Sequence, residues 1–216
     1  MINVLRPIQR WLVLSVSLFL AACASVQDPA SSASELAATA EYEQQIAWIK
    51  SADSQADFAK LRESFTRTAS YRPYIERSVD DAIELFEQQQ FAECLVAVEK
   101  VLARQYGHLQ GHFLAMVCHR ELGNNQQADF HDSVVRGLLA SIDSSGDGSS
   151  VATAMTTYDM QELYSYLEFM GLKPVSQALI SDNDRWYDVM TVTYEDEQRE
   201  FDLYFDITRQ FTRGFK

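Results

Sequence analysis

The chain has 216 residues, of which 47% are hydrophobic and 23% charged, a balance that excludes gross disorder. Its formal net charge is −13, so it lacks the surplus of lysine and arginine that neutralises nucleic-acid phosphates or anionic lipid headgroups. We therefore expect one large or two small folded domains and no nucleic-acid partner.

The N-terminus has the order of regions found in exported precursors. Arg6 and Arg10 precede an apolar run from Trp11 to Leu20, which is too short to span a bilayer comfortably. The following Leu-Ala-Ala-Cys resembles the lipobox of bacterial lipoproteins, which implies a signal peptide over 1–22 and lipidation of Cys23 with acyl chains such as palmitate. The alternatives are an uncleaved apolar helix and a secretory signal cut at another small residue.

The same resemblance implies an address. Several acyl chains together anchor a protein firmly where one does not. Ala24 follows Cys23 where an aspartate would signal retention, and in the proteobacterial pattern this implies sorting to the outer membrane. We expect a protein anchored there by its lipid and facing the periplasm, with a net charge of −15 after residues 1–22 are removed with their two arginines.

Residues 23–36 are rich in alanine and serine and show no apolar periodicity, which predicts a flexible tether. Residues 37–142 carry apolar residues at spacings of three and four, which predicts helices. An offset of 34 residues aligns Gln89 with Gly123 and Cys94 with Ala128, and this pattern resembles the tetratricopeptide helix–turn–helix unit. Because three such repeats are usually needed for stability, we expect this region to pack against the C-terminal half.

Two cysteines lie in the helical region. The repeat alignment places Cys94 at the start of one helix and Cys118 late in the next, antiparallel helix, so the two could face each other in an oxidising compartment. A disulfide and a pair of small buried core residues are both consistent with the pattern.

Histidines also cluster in this region. Three fall on one helix face and the fourth lies on the next helix, which suits either a metal site or packed side chains. They are His108, His112, His119 and His131.

A Gly/Asp/Ser turn follows the helices. Asp143, Ser145 and Asp147 have the alternating oxygen side chains that open a calcium loop, and Gly148 completes the similarity. The twelfth position is Ala154, where an EF-hand needs a bidentate glutamate. The alternative is a turn in which these side chains cap backbone groups.

Residues 143–216 are predicted to mix strands with one helix. Val151–Thr157 is typical of a strand, and Asp159 with Glu162 resembles a capping box that starts a helix ending at Gly171. Two alternating runs, 186–194 and 201–207, predict a hairpin. The fold class is therefore α+β, with a tetratricopeptide-like helical array followed by a small antiparallel sheet and one packed helix.

Four short stretches resemble one family. They are residues 57–74 (DFAKLRESFTRTASYRPY), 145–150 (SGDGSS), 158–164 (YDMQELY) and 203–207 (LYFDI). Together they resemble exported bacterial proteins grouped as domain of unknown function family 4919, over about Asp57 to Ile207. A second acidic residue expected beside Asp159 is replaced by Met160. The resemblance implies no activity.

The motifs favour binding over catalysis. The sequence contains no G-x-S-x-G elbow and no cysteine with a histidine placed to activate it. Our first hypothesis is a non-catalytic, lipid-anchored cell-envelope protein that acts as a protein-interaction or scaffolding module without a cofactor. Its helical array would bind an unidentified protein partner.

Two further hypotheses stay open. The first is a metal- or carboxylate-dependent hydrolase acting on envelope material, with the Asp143–Asp147 turn or the carboxylates of Asp182, Asp184 and Asp188. The second is a small-ligand carrier built around the aromatic residues Trp186, Tyr187, Tyr194 and Tyr204.

Overall fold

The computed structural model describes residues 29–74, 79–194 and 199–214, with helices first and a sheet after them. The helices are α1 Pro29–Lys50, α2 Phe58–Phe65, α3 Asp80–Glu87, α4 Phe91–Arg104, α5 Leu109–Glu121, α6 Asn125–Asp143, α7 Met160–Phe169 and α8 Thr208–Gly214. The strands are β1 Met155–Thr156, β2 Leu172–Asp182, β3 Arg185–Tyr194 and β4 Glu200–Asp206. The predicted α+β class and element order are confirmed.

The signal peptide, Cys23 and Ala24 lie outside the described residues. The tether predicted over 23–36 is wrong from residue 29 onward, because α1 begins at Pro29. Proline is tolerated in the first turn of a helix, and packing on α2, where the Tyr42 ring lies 5.2 Å from the Phe65 ring, stabilises the rest. Within the described ranges, no helix combines the length and the apolarity that a membrane crossing requires.

Two helical hairpins, α3–α4 and α5–α6, follow α2. Gln89 and Gly123 occupy the turns and have φ angles of 59° and 75°, so both adopt the left-handed conformation. Cys94 and Ala128, the aligned small residues, are both fully buried. The 34-residue offset thus aligns the turns and the close contacts of the two hairpins, while the tetratricopeptide resemblance itself stays a prediction.

The sheet has the order β1-β4-β3-β2. Strands β2 and β3 are antiparallel and meet at a two-residue turn, Asn183-Asp184, in which both residues have positive φ. Strands β3 and β4 are also antiparallel, but β1 runs parallel to β4. The sheet is therefore mixed and not wholly antiparallel. Helix α7 and strands β2 and β3 lie between β1 and β4 in the sequence, and after them β4 runs in the same direction as β1.

Two further details of the C-terminal half differ from expectation. Most of the strand predicted over Val151–Thr157 is a 3-10 turn, Val151–Thr153, and only the two residues of β1 are extended. A second helix, α8, was not predicted, because its short sequence shows no clear apolar periodicity. It is held by Phe211, which stacks on Trp186 at 3.9 Å, and by Asp206, which accepts a hydrogen bond from the Thr208 backbone N–H at 2.9 Å.

The core of the C-terminal half lies between α7 and the sheet. Leu163 and Leu167 of α7 pack against Met190, Val192 and Phe205, and all five are buried. Gly146 and Gly148 lie between α6 and the 3-10 turn and belong to no helix, so the helices of residues 29–143 end before the sheet begins.

Candidate functional site

Helix α7 begins at a capping arrangement that the sequence predicted. Asp159 Oδ1 accepts a hydrogen bond from the Glu162 backbone N–H at 2.7 Å. Glu162 Oε2 accepts from the Tyr158 N–H at 2.8 Å, one residue before the position that a standard capping box uses. The two carboxylates are thereby fixed at the N-terminus of α7, where the helix dipole favours negative charge.

A buried arginine from the helical half meets these carboxylates. Arg62 of α2 is 6% exposed and forms a two-point contact with Glu162, from Nε to Oε1 at 2.6 Å and from Nη2 to Oε2 at 3.1 Å. Its Nη2 also donates to the Thr156 carbonyl at 2.6 Å, and its Nη1 donates to Ser141 Oγ at 3.2 Å. One guanidinium therefore joins α2 to α6, β1 and α7.

Charge pairing compensates for the burial of this group. Burial alone would lower the pKa of Arg62, but the Glu162 carboxylate raises it above its ordinary value. Burial, and then repulsion from Glu162, raise the pKa of Asp159, which accepts a hydrogen bond from Gln105 Nε2 at 2.8 Å. The arginine and both carboxylates have partners, so we interpret this network, the Arg62 joint, as a structural clamp.

Sequence reasoning missed Arg62, although a signal was present. Arg62 lies four residues after Phe58 and three before Phe65, so it falls on the apolar stripe of its own helix. A charged residue on a buried stripe requires a partner of opposite charge elsewhere in the fold.

The C-terminal end of α7 borders an apolar cavity of about 610 Å³, which we call the α7 groove. Gln110 Nε2 and Glu168 Oε2 form a hydrogen bond of 2.9 Å at its edge. Three helices supply its apolar lining: Ile83 and Phe86 from α3, Phe113, Leu114 and Val117 from α5, and Phe169 from α7.

Part of this lining is exposed to solvent. Ile83 is 37% exposed and Phe113 is 38% exposed, and the Phe113 ring meets Phe169 edge-on at 5.3 Å. Exposed apolar area costs roughly 25 cal/mol per Å², so a contiguous apolar surface in a groove favours an occupant.

The wall formed by α3 is acidic. Its sequence, DDAIELFE, contains four carboxylates and no basic residue, and all four carboxylates are exposed. Asp80 lies three residues before Ile83 and Glu87 four residues after it, so both share the helix face of Ile83. The groove therefore combines an apolar floor with a negatively charged side.

The family comparison covers most of the chain. A family model described as Domain of unknown function (DUF4919) matches residues 34–214. The chain belongs to the DUF4919 family. The predicted resemblance is confirmed, and the match extends beyond Asp57 and Ile207 to include most of α1 and all of α8. No curated protein and no solved structure matches the chain.

The predicted calcium residues of this DUF4919 chain have separate partners. Asp143 Oδ1 accepts a hydrogen bond from the Tyr166 hydroxyl at 2.7 Å, and Ser145 Oγ accepts from the Thr156 N–H at 2.8 Å. Hydrogen bonds from Thr153 and Ser149 lower the pKa of Asp147 to about 2. These contacts are those of a turn whose side chains cap backbone and neighbouring groups.

Three of the four histidines come together and contact one another, whereas His108 caps α5 and accepts a hydrogen bond from the Gly111 backbone N–H at 3.0 Å. His112 Nε2 donates to the Tyr106 carbonyl at 2.7 Å, so His112 Nδ1 accepts the 2.8 Å hydrogen bond from His131 Nδ1. The His119 ring stacks on the His131 ring at 5.5 Å. In the described part of the chain, no three His, Cys, Asp or Glu side chains are placed to hold a metal ion.

The cysteine pair is covalently joined. Cys94 of α4 and Cys118 of α5 form a disulfide with a Cα–Cα distance of 6.7 Å, and both residues are fully buried. The bond lies in the core cluster that contains Val79, Ala82 and Leu114, directly behind the α7 groove. It therefore ties together the helices that support the groove walls.

The carboxylates proposed for a hydrolase do not converge. Asp182 lies opposite Arg185 in the β2–β3 ladder, and Asp188 lies opposite Leu179. Arg185 and Asp188 are three positions apart on β3, so they point to opposite faces of the sheet. The carboxylate of Asp182, which shares the face of Arg185, is therefore on the other face from that of Asp188. Asp184 lies in the turn between the strands. Burial raises the pKa of Asp188, and the amide of Gln177 is its hydrogen-bond partner.

The aromatic residues proposed for a ligand carrier are also divided between surroundings. Tyr187 is 2% exposed, Trp186 stacks on Phe211, and Tyr194 is 44% exposed beside Phe201. Adjacent strand residues point to opposite faces, so Trp186 and Tyr187 cannot line one surface.

Proposed function

We propose that this DUF4919 protein is a non-catalytic, lipid-anchored binding module of the cell envelope, and that the α7 groove receives a segment of a partner protein. The observation that carries the proposal is the exposed apolar lining of the groove, formed by three separate helices. Grooves of this kind between helices bind an amphipathic helix by its apolar face.

Charge determines the chemistry of the partner segment. All four charged residues of α3 are acidic and exposed, and the chain as a whole carries a net charge of −13. A segment with apolar residues at i, i+3, i+4 and i+7, flanked by lysine or arginine, complements both the floor and the side of the groove. An acidic segment would be repelled there.

The lipid anchor supports the same function from the other end of the chain. Cys23 follows a basic region, an apolar run and two alanines, and α1 starts six residues later. Such an anchor would hold the groove at the periplasmic side of the outer membrane, where a protein partner in the envelope can reach it.

A designed peptide tests the groove. An amphipathic peptide with leucine and phenylalanine on one face and lysine on the other should bind the full chain in a fluorescence anisotropy titration. Phe113→Ser should weaken that binding about thirtyfold, because truncating a central aromatic residue of an interface costs about 2 kcal/mol. Ile83→Ser should weaken it less.

The matched control is Val96→Ser. Val96 is 54% exposed on α4 and is not part of the groove lining, so its replacement should leave the affinity unchanged. Equal effects of Phe113→Ser and Val96→Ser would contradict the proposal, as would equally tight binding of a peptide with glutamate in place of lysine. A photo-crosslinker at position 113 in intact envelopes would then identify the natural partner.

The anchor is tested separately. Labelled palmitate should enter the wild-type chain and not the Cys23→Ala variant, which should leave the membrane fraction. Ala24→Asp should keep the label and move the protein to the inner membrane. Label that persists in Cys23→Ala would rule out lipidation at this cysteine.

A further inference from the structure

The two edges of the sheet are built differently. At one edge, β1 has only two residues. At the other, β2 has eleven residues, most of them exposed, and among the described residues its only ladder partner is β3. An exposed edge strand presents a row of backbone donors and acceptors that can pair with another strand.

Only the first part of β2 carries the features that usually block such pairing. Lys173 and Pro174 stand at its start, and the register with β3 shifts between Pro174 and Ser176. From Ser176 to Ser181 there is neither a charge nor a proline, and Leu179 is 50% exposed. This segment of the edge is open.

The register shift places the two charged ends of β2 on one face. Lys173 lies opposite Thr193 and Ser176 lies opposite Thr191, so Val175 is the extra residue of a bulge. Thr191 and Thr193 point to the same face of the sheet. Lys173 therefore shares its face with Ser176, and with the alternate residues that follow Ser176 as far as Asp182.

We propose that β2 pairs antiparallel with β2 of a second copy of this chain, across a two-fold axis at Ala178. In this register Ala178 faces its own copy. Lys173 is five residues from Ala178 and Asp182 is four, but Val175 is the extra residue of the bulge, so Lys173 of each chain lies opposite Asp182 of the other. The two chains thus form two ion pairs at the ends of an uncharged stretch, with a small exposed residue at the centre. The lysine at one end and the aspartate at the other make the edge complementary to itself.

A charge swap tests the register. Sedimentation of the full chain in detergent should show a dimer. Lys173→Asp and Asp182→Lys should each weaken dimerisation about tenfold, because each change turns two attractive contacts into repulsive ones. The double variant, Lys173→Asp with Asp182→Lys, should recover the affinity of the wild type. The proposal would be overturned if the single changes left the dimerisation affinity unaltered, or if the double change failed to restore it.

Cysteine crosslinking tests the axis directly. Residues directly opposed in an antiparallel ladder have Cα atoms about 4.5–5.5 Å apart, within the range of a disulfide. Ala178→Cys should therefore crosslink under mild oxidation.

The matched control is Ser176→Cys on the same strand and face. It lies opposite Ile180 of the second copy and should not crosslink to its own equivalent. A folded Ala178→Cys protein that stays monomeric, a Ser176→Cys protein that crosslinks equally well, or an edge that binds only an extended peptide of another protein would each refute the two-fold pairing.

Discussion

The two ends of α7 meet the helical half in opposite ways. At the N-terminal end, Asp159, Arg62 and Gln105 are buried and the Glu162 side chain is only 10% exposed, and both carboxylates accept hydrogen bonds from residues of the same chain. At the C-terminal end, Phe169 and Phe113 meet in a groove whose apolar lining is partly open to solvent. One helix thus carries a closed polar contact and an open apolar contact.

The two ends of α7 therefore differ in what they can bind. Buried charges are retained only when they are paired, and a fully paired network has no bonding capacity left for a ligand. Exposed apolar area has the opposite property, because covering it lowers the free energy whichever complementary surface provides the cover. The polar end therefore holds the halves together, and the apolar end is available to a partner.

The largest expected effect tests the closed end. Arg62→Met should destabilise the protein by about 3–5 kcal/mol in urea denaturation, because it leaves the Glu162 and Asp159 carboxylates buried without a counter-charge. The matched control is Arg67→Met. Arg67 also pairs with a glutamate, Glu41, at 2.7 Å, but both side chains are about 40% exposed, so the cost should be about 0–1 kcal/mol. Similar losses in the two variants would show that the joint is not a clamp.

An intermediate effect concerns His112 of α5, the helix that forms one wall of the α7 groove, and its neighbour His131. Burial, and then the neighbouring histidine, lower the pKa of His112 to about 3, and burial and His119 lower that of His131 to about 4. Both pKa values lie below the ordinary value near 6.5. Between the lowered and the ordinary values, the unfolded chain therefore binds more protons than the folded chain. The stability from the pair is complete above pH 6.5 and is lost as the pH falls to about 4 for His131 and to about 3 for His112.

Between pH 7 and pH 5 each histidine should cost about 2 kcal/mol in the free energy of unfolding, so the pair should cost about 4 kcal/mol, measured by urea denaturation at the two pH values. Asp159 acts in the opposite direction because its pKa is raised, so the comparison is made against His131→Phe, which retains Asp159. That variant should lose about 2 kcal/mol less than the wild type over the same range. An identical loss in both proteins would exclude the histidine pair as the cause.

The smallest effect concerns the turn that joins α3, the acidic wall of the groove, to α4. Gln89 adopts a left-handed conformation that glycine adopts at lower cost, so Gln89→Gly should stabilise the protein by about 1 kcal/mol in thermal unfolding. The aligned Gly123 offers the reverse change. A Cβ there would meet no atom within 4 Å, so Gly123→Ala should destabilise by about 1 kcal/mol through conformation alone. Changes of the same sign would show that the two turns are not equivalent.

Much of the fold followed from local patterns. The sequence predicted the alternation of the strands, the start of a helix at Asp159 and the alignment of Gln89 with Gly123. Each of these features depends on short sequence patterns. Short elements held by distant contacts had no such local signal. Helix α8 depends on Trp186, which stacks on Phe211 and donates its backbone N–H to Thr208 Oγ1, and the parallel pairing of β1 depends on β4. The first residues of α1 were predicted to be part of a tether. They are rich in alanine and serine, and such a stretch carries no sequence pattern that would indicate packing on α2.

Sequence by itself determined the helical and sheet halves of this DUF4919 protein, the cap of α7 and the acidic character of the chain, since composition and short-range periodicity fix these properties. Only the tertiary structure decided that Arg62 is buried, that Phe113 lies in a groove and that β2 is an open edge. Each of these depends on which surfaces distant elements cover, and coverage is a property of long-range packing that neighbouring residues do not encode.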